Sequence, residues 1–231
     1  MSKFRKEKYF HPVKDIFPMG LKQKLIDNFF EYKKHLGDYE NSTMLYDPKI
    51  IERYWKELGF ETQGISLSEF DTYWRTSPEV ASHLNPGDNF SRFYYPDENY
   101  TWLDDETINI LEEIRDFYGT HHIVFLYTKG LGVTLKKHTD PNCNSKITFP
   151  LYPNYDHYRD CMFYDTMEQE EPTHVLRYKD VKSPVLLNVD KLHALEDCKT
   201  EESLCVQFSY NAKYPESMKF LSNRGLLTTP V

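Results

Sequence analysis

From His121 to Asn211 the chain is a succession of short β-type segments: HHIVFLYTK, GVTLKKHTD, KITFPLYPN, DCMFYDT, THVLRYKDV, PVLLNVDKLHALED and SLCVQFSYN. Each is rich in β-branched or aromatic residues and is bounded by Gly, Pro, Asn or acidic turn residues. Strands this short bury their apolar faces only against one another, so seven or eight of them predict an antiparallel double sheet or jelly roll. The hydrophilic TMEQEEPT between two of them reads as a surface turn.

The part before this run has a different period. MGLKQKLIDNFFEYKKHLGD places Leu21, Leu25, Ile26, Phe29, Phe30 and Leu36 near helical spacing, with Gly37 as a stop. DPKIIERYWKELGF predicts a helix capped by Asp47, with Pro48 as its first residue and Gly59 closing it. A third, shorter helix is expected from about Ser66 to Ser77. HLNPGDNFSRFYYPDENYT is rich in Asn, Asp, Gly and Pro and reads as irregular loop, with the aromatics from Phe90 to Tyr100 packing over the sheet or lining a substrate mouth. WLDDETINILEEIRDFYG is the clearest helix, with Asp104 or Asp105 as cap, acids in the first turn and Gly119 at the end. YPESMKFLSNRG gives one more short helix, stopped by Gly225. The expected architecture is α+β in one domain spanning 1–231. Its parts are a mainly helical 1–119, a strand-rich core over 120–211, and a C-terminal helix and tail over 212–231.

Two strand ends carry metal-binding chemistry. In GVTLKKHTD, His138 and Asp140 stand two residues apart, a spacing that points both side chains to one face of a strand. An imidazole and a carboxylate so placed supply two of the three ligands of the facial site that suits non-haem Fe(II). His193, in PVLLNVDKLHALED, ends a continuous apolar run as His138 does, and is the candidate third ligand. A solvated hairpin turn would explain the HTD alone; it does not explain a second strand-borne histidine.

The remaining features bound the function. A formal charge of −8 argues against a binder of phosphate backbones, and no nucleic-acid partner is expected. No apolar run reaches membrane-spanning length and MSKFRKEKYF lacks the apolar segment of a signal peptide, so a cytoplasmic protein without membrane contact is expected. Cys143, Cys161, Cys198 and Cys205 form no CxxC and read as free thiols of a reducing compartment. Nucleotide-loop, hydrolase and zincin motifs are absent.

An aromatic-containing strand, a Gly turn, HxD, further strands and a distal His before a final strand together resemble the Fe(II)/2-oxoglutarate-dependent oxygenases, over about Tyr118 to Asn211. The resemblance implies a double-stranded β-helix that holds Fe(II) through His138, Asp140 and His193. It also implies a 2-oxoglutarate cosubstrate and, as the usual outcome, hydroxylation of a small molecule or an exposed peptide side chain. The departure is at the far carboxylate of the cosubstrate, which the family commonly pairs with an arginine on the final strand. That place reads Glu201, Glu202, Ser203, Leu204 here, and no arginine stands between His193 and Asn211. Other branches use a lysine on the strand after HxD or a tyrosine on the strand before it. This makes Lys146 the expected anchor, with Tyr127 or Ser203 adding a hydrogen bond. Two classes of function follow: an Fe(II)- and 2-oxoglutarate-dependent hydroxylase, or a metal-binding β-barrel of the same ancestry that does not use 2-oxoglutarate.

Overall fold

The structure is a computed structural model that describes residues 8–32, 42–46, 56, 59, 62, 64, 90–94, 103–129, 135–140, 143–196 and 199–228. The strands are β1 (Phe10–Pro12), β2 (Ser42–Tyr46), β3 (Phe90–Tyr94), β4 (His122–Lys129), β5 (Leu135–His138), β6 (Ser145–Tyr152), β7 (Cys161–Phe163), β8 (His174–Leu176), β9 (Val185–Asn188), β10 (His193–Leu195) and β11 (Glu202–Tyr210). The helices are α1 (Leu21–Tyr32), α2 (Asp105–Tyr118), α3 (Tyr178–Val181) and α4 (Tyr214–Asn223).

The strands form two antiparallel sheets, one ordered β1-β9-β6-β11-β4-β3-β2 and the other β5-β10-β7-β8. From β4 onward the chain passes back and forth between the two sheets, which is the winding of a jelly roll. Strand alternation divides the large sheet into two faces. Ile123, Phe125 and Tyr127 of β4, Ile147, Phe149 and Leu151 of β6, and Leu204, Val206, Phe208 and Tyr210 of β11 pack against the helices. There they meet Leu21, Leu25 and Phe29 of α1, Leu111, Ile114 and Tyr118 of α2, and Leu221 of α4. The opposite face sends Leu126, Cys205, Val185 and Leu187 inward to meet Cys161, Phe163 and Leu176 of the small sheet.

Helix α2 forms as its sequence requires. Asp104 is the N-cap, its carboxylate accepting from the Thr107 N–H at 2.7 Å, and Gly119 ends the helix at φ +69°. Helices α1 and α4 also fall where periodicity places them. The helices expected over 47–59 and 66–77 lie, apart from isolated positions, outside the described residues.

In the first half the described residues form α1 and α2 together with β1, β2 and β3, and much of 33–89 lies outside them. The clearest difference is β3, in a stretch whose composition reads as loop. It pairs with β4 from Phe90↔Lys129 to Tyr94↔Phe125, and β2 pairs with β3 in turn. The open edge of β4 supplies hydrogen-bond partners that local composition does not reveal. Among the described residues no helix is long and apolar enough to cross a membrane.

Candidate metal centre

PVLLNVDKLHALED, a single segment in sequence, forms two strands in different sheets. β9 stays in the large sheet, a turn follows Asn188, and His193 opens β10 of the small sheet. His193 is therefore the first residue of a strand, not the last of an apolar run. It lies directly opposite His138, the final residue of β5, with ring centroids 4.4 Å apart. Asp140 lies beyond the strand and is fixed by its backbone N–H, which donates to the Val189 carbonyl at 3.2 Å. Its Oδ1 lies 3.4 Å from His138 Nε2 and 3.8 Å from His193 Nε2. One ligand atom from each of the three residues falls within 4.8 Å of the others.

The protonation states suit ligands. His193 is 2% exposed, and its Nδ1 lies 2.9 Å from the Lys191 carbonyl oxygen. A carbonyl only accepts, so Nδ1 carries the proton and Nε2 turns its lone pair toward Asp140. Burial, with His138 and Lys146 nearby, pushes the His193 pKa down to about 3, so the ring stays neutral. Burial alone would raise the Asp140 carboxyl. The Lys146 charge, a hydrogen bond from His138 and the neighbouring His193 outweigh it and hold the group far below the ordinary carboxylate range. Two imidazoles and one carboxylate on one side of a point are the donor set of a site with open positions.

The side chains expected to surround a cosubstrate are placed unequally. Lys146, on the inward face of β6 and 7% exposed, puts its Nζ 2.7 Å from Asp140 Oδ2. Burial lowers its pKa and Asp140 more than restores it, so the side chain is an ammonium. Ser203 is buried on the inward face of β11, opposite Thr128 of β4. Tyr127 faces the other way: its ring packs 5.0 Å from that of Phe29 in α1, and its hydroxyl donates to Glu202 Oε1 at 2.5 Å. Strand alternation is the reason, since Leu126 and Thr128 take the inward positions on either side of it. Cys143 lies near the centre, its thiol donating to Asp140 Oδ2 at 3.5 Å. Burial pushes that thiol up to about 11, and it stays protonated.

A small cleft, partly open to solvent, lies before His138 and His193. Leu126, Thr148, Tyr158, Tyr178, Leu187 and Gln207 are among the residues lining it, together with Lys146.

One interior cation escapes sequence reasoning. Arg159, in the turn before β7, is 2% exposed, and its Nη2 donates to Thr128 Oγ1 at 3.0 Å. Thr128 is the register partner of Ser203, so this guanidinium reaches the part of the interior where Ser203 replaces the arginine sought on the last strand. The charges of both Arg159 and Lys146 act on Cys161 and Cys205, which lie in the interior between the sheets. A signal was present: only Arg159 and Arg177 lie between His121 and Asn211. Arg177 is half exposed and pairs with Asp160 at 3.6 Å.

No family model matches this chain, and no curated protein matches it. Solved structures do. A prolyl-4-hydroxylase from Pseudomonas putida aligns at 13% identity over 83% of this chain and 100% of its own, with a TM-score of 0.36. HygX from Streptomyces hygroscopicus, solved with nickel and 2-oxoglutarate bound, aligns at 10% identity over 89% of this chain and 83% of its own, with a TM-score of 0.38. Vicilin from hazelnut, Corylus avellana, aligns at 10% identity over 72% of this chain and 48% of its own, with a TM-score of 0.32. Likeness at this level carries no functional weight, and the chemistry has to come from the side chains.

Proposed function

We propose that this chain is an Fe(II)- and 2-oxoglutarate-dependent oxygenase that hydroxylates a small molecule or an exposed peptide side chain. The observation that carries the reading is the convergence of His138, Asp140 and His193 at the mouth of a jelly roll, with ligand atoms within 4.8 Å of one another. The strand order suits the double-stranded β-helix expected from the sequence, with two ligands at the end of β5 and the third at the start of β10. Bound there, Fe(II) would supply open coordination positions for a keto acid and O2, and with them the oxidising power for hydroxylation.

The chain's own residues do the rest. The Lys191 carbonyl fixes the His193 tautomer, and the Val189 carbonyl fixes the backbone of Asp140. Leu126, Leu187 and Tyr178 form the apolar part of the cleft wall. Arg159, held against Thr128, offers a planar fork to a far carboxylate, and Ser203 across from Thr128 adds a hydroxyl. The free thiols Cys143, Cys161 and Cys205 suit a cytoplasmic, reducing setting.

The test is aerobic incubation with Fe(II), ascorbate and 2-oxoglutarate, followed by succinate detection. The expected result is slow succinate formation without added substrate, abolished together with iron binding in His138→Ala, Asp140→Ala and His193→Ala. Iron binding that needs the triad, without any binding or turnover of 2-oxoglutarate, would instead favour the metal-binding barrel that does not use this cosubstrate.

A further inference from the structure

The two oxygens of Asp140 face different neighbours. Oδ1 looks toward His138 Nε2 at 3.4 Å and His193 Nε2 at 3.8 Å. Oδ2 is occupied by Lys146 Nζ at 2.7 Å and by the Cys143 thiol at 3.5 Å. The Lys146 side chain is 9% exposed and that of Asp140 17%, so water screens neither charge well. A site built only to retain a dication would not hold a buried ammonium against its single carboxylate, because like charges repel strongly where the dielectric is low.

We propose that Lys146 sets the charge of the metal centre and restricts Asp140 to one ligating oxygen, trading affinity for the dication against affinity for a dianionic ligand upon it. The proposal rests on the metal centre described under the function above. A dication, one carboxylate and one ammonium leave two net positive charges, the complement of a dicarboxylate; without the lysine one remains. With Oδ2 held by the ammonium, the carboxylate binds through Oδ1 and does not close over a second coordination position. The role is one of positioning and charge: the ammonium touches the ligand carboxylate and is itself no ligand.

The experiment uses Mn(II) and oxalate as probes and requires no turnover. Mn(II) affinity is measured on the purified protein, then oxalate affinity on the Mn(II)-loaded protein, for wild type, Lys146→Met, Lys146→Gln and Lys146→Arg. The expected result for Lys146→Met is Mn(II) binding at least about tenfold tighter and oxalate binding at least about tenfold weaker, given that removing a charge at contact distance is worth at least one decade. Lys146→Gln keeps a hydrogen-bond donor without the charge and should move both constants the same way, which also settles the matter if the methionine variant does not fold. Lys146→Arg keeps the charge and should lie closer to wild type in both.

Unchanged or weaker Mn(II) binding in the two neutral variants would overturn the proposal, as would unchanged oxalate binding. Those results leave the metal centre itself standing. Mn(II) binding by wild type no tighter than by His193→Ala would overturn both.

Discussion

Replacing Arg159 by methionine tests the cosubstrate end of the site most directly. The guanidinium is buried, and Thr128 offers it a neutral hydroxyl at 3.0 Å. A carboxylate bound there would meet a buried cation. Truncating one partner of a buried, hydrogen-bonded charge pair costs about 2–5 kcal/mol. At about 1.4 kcal/mol per decade that is a roughly 30- to 3,000-fold loss of affinity. The assay compares two keto acids on Mn(II)-loaded protein: 2-oxoglutarate, and 2-oxovalerate, which has the same head and chain length but ends in a methyl group. Wild type should prefer 2-oxoglutarate by roughly three-hundredfold, the middle of that range. In Arg159→Met the preference should collapse while 2-oxovalerate binds as before, which shows that the metal end is intact. Arg159→Lys should recover only part of it, since an ammonium does not reproduce the planar fork. A preference that survives in Arg159→Met would refute the assignment and return the anchor to Lys146.

Gly119→Ala should destabilise the protein by about 2–4 kcal/mol, combining a left-handed backbone with overpacking: its φ is +69°, and a Cβ there would lie 2.7 Å from Phe220 Cε1. Chemical denaturation measures this, and a loss below about 1 kcal/mol would mean that α4 shifts freely. The metal-free protein, kept so with chelator, should lose stability as pH falls from about 6.5 toward 3. The buried His193 has its pKa lowered to about 3, so the unfolded chain takes up that proton first. The contribution is complete above the unfolded value and fades at about 1.4 kcal/mol per pH unit below it. His193→Asn should lack that part of the slope.

The metal residues were legible because their chemistry is compact in sequence. HTD places an imidazole and a carboxylate together, and LHAL supplies one more histidine beside an apolar run. The route by which they meet was not legible. Asp140 converges with His138 after the strand has ended, held by a carbonyl from Val189, and His193 arrives by a change of sheet inside what reads as one segment. Arg159 was hidden for a related reason. It lies in a turn-rich stretch where no periodicity tells inward from outward, and only the approach of β4 shows where its guanidinium goes. Strand β3 was missed because Asn, Asp and Pro around FSRFY read as loop, while the partner that makes it a strand lies more than thirty residues away, as in Phe90↔Lys129. Lys146 was found by position and given a different part: it faces inward as expected, yet its nearest charged neighbour is Asp140.

Three strands carry both the stability and the chemistry, and alternation alone separates them. On β4, Tyr127 packs on α1 and Thr128 holds Arg159; on β6, Ile147 joins the helix-side core and Lys146 meets Asp140; on β11, Leu204 joins that core and Ser203 faces inward. A slip of one residue would exchange the two sets, carrying Lys146 into the helix-side core and leaving Asp140 without its ammonium. The large aromatics Phe125, Phe149 and Phe208, all fully buried against the helices, make such a slip prohibitively costly. The helix-side core thus does more than stabilise the sheet. By fixing the register of β4, β6 and β11, it decides which of their polar side chains face inward, and the positions of Lys146 and of Thr128, which holds Arg159, follow from apolar packing on the opposite face.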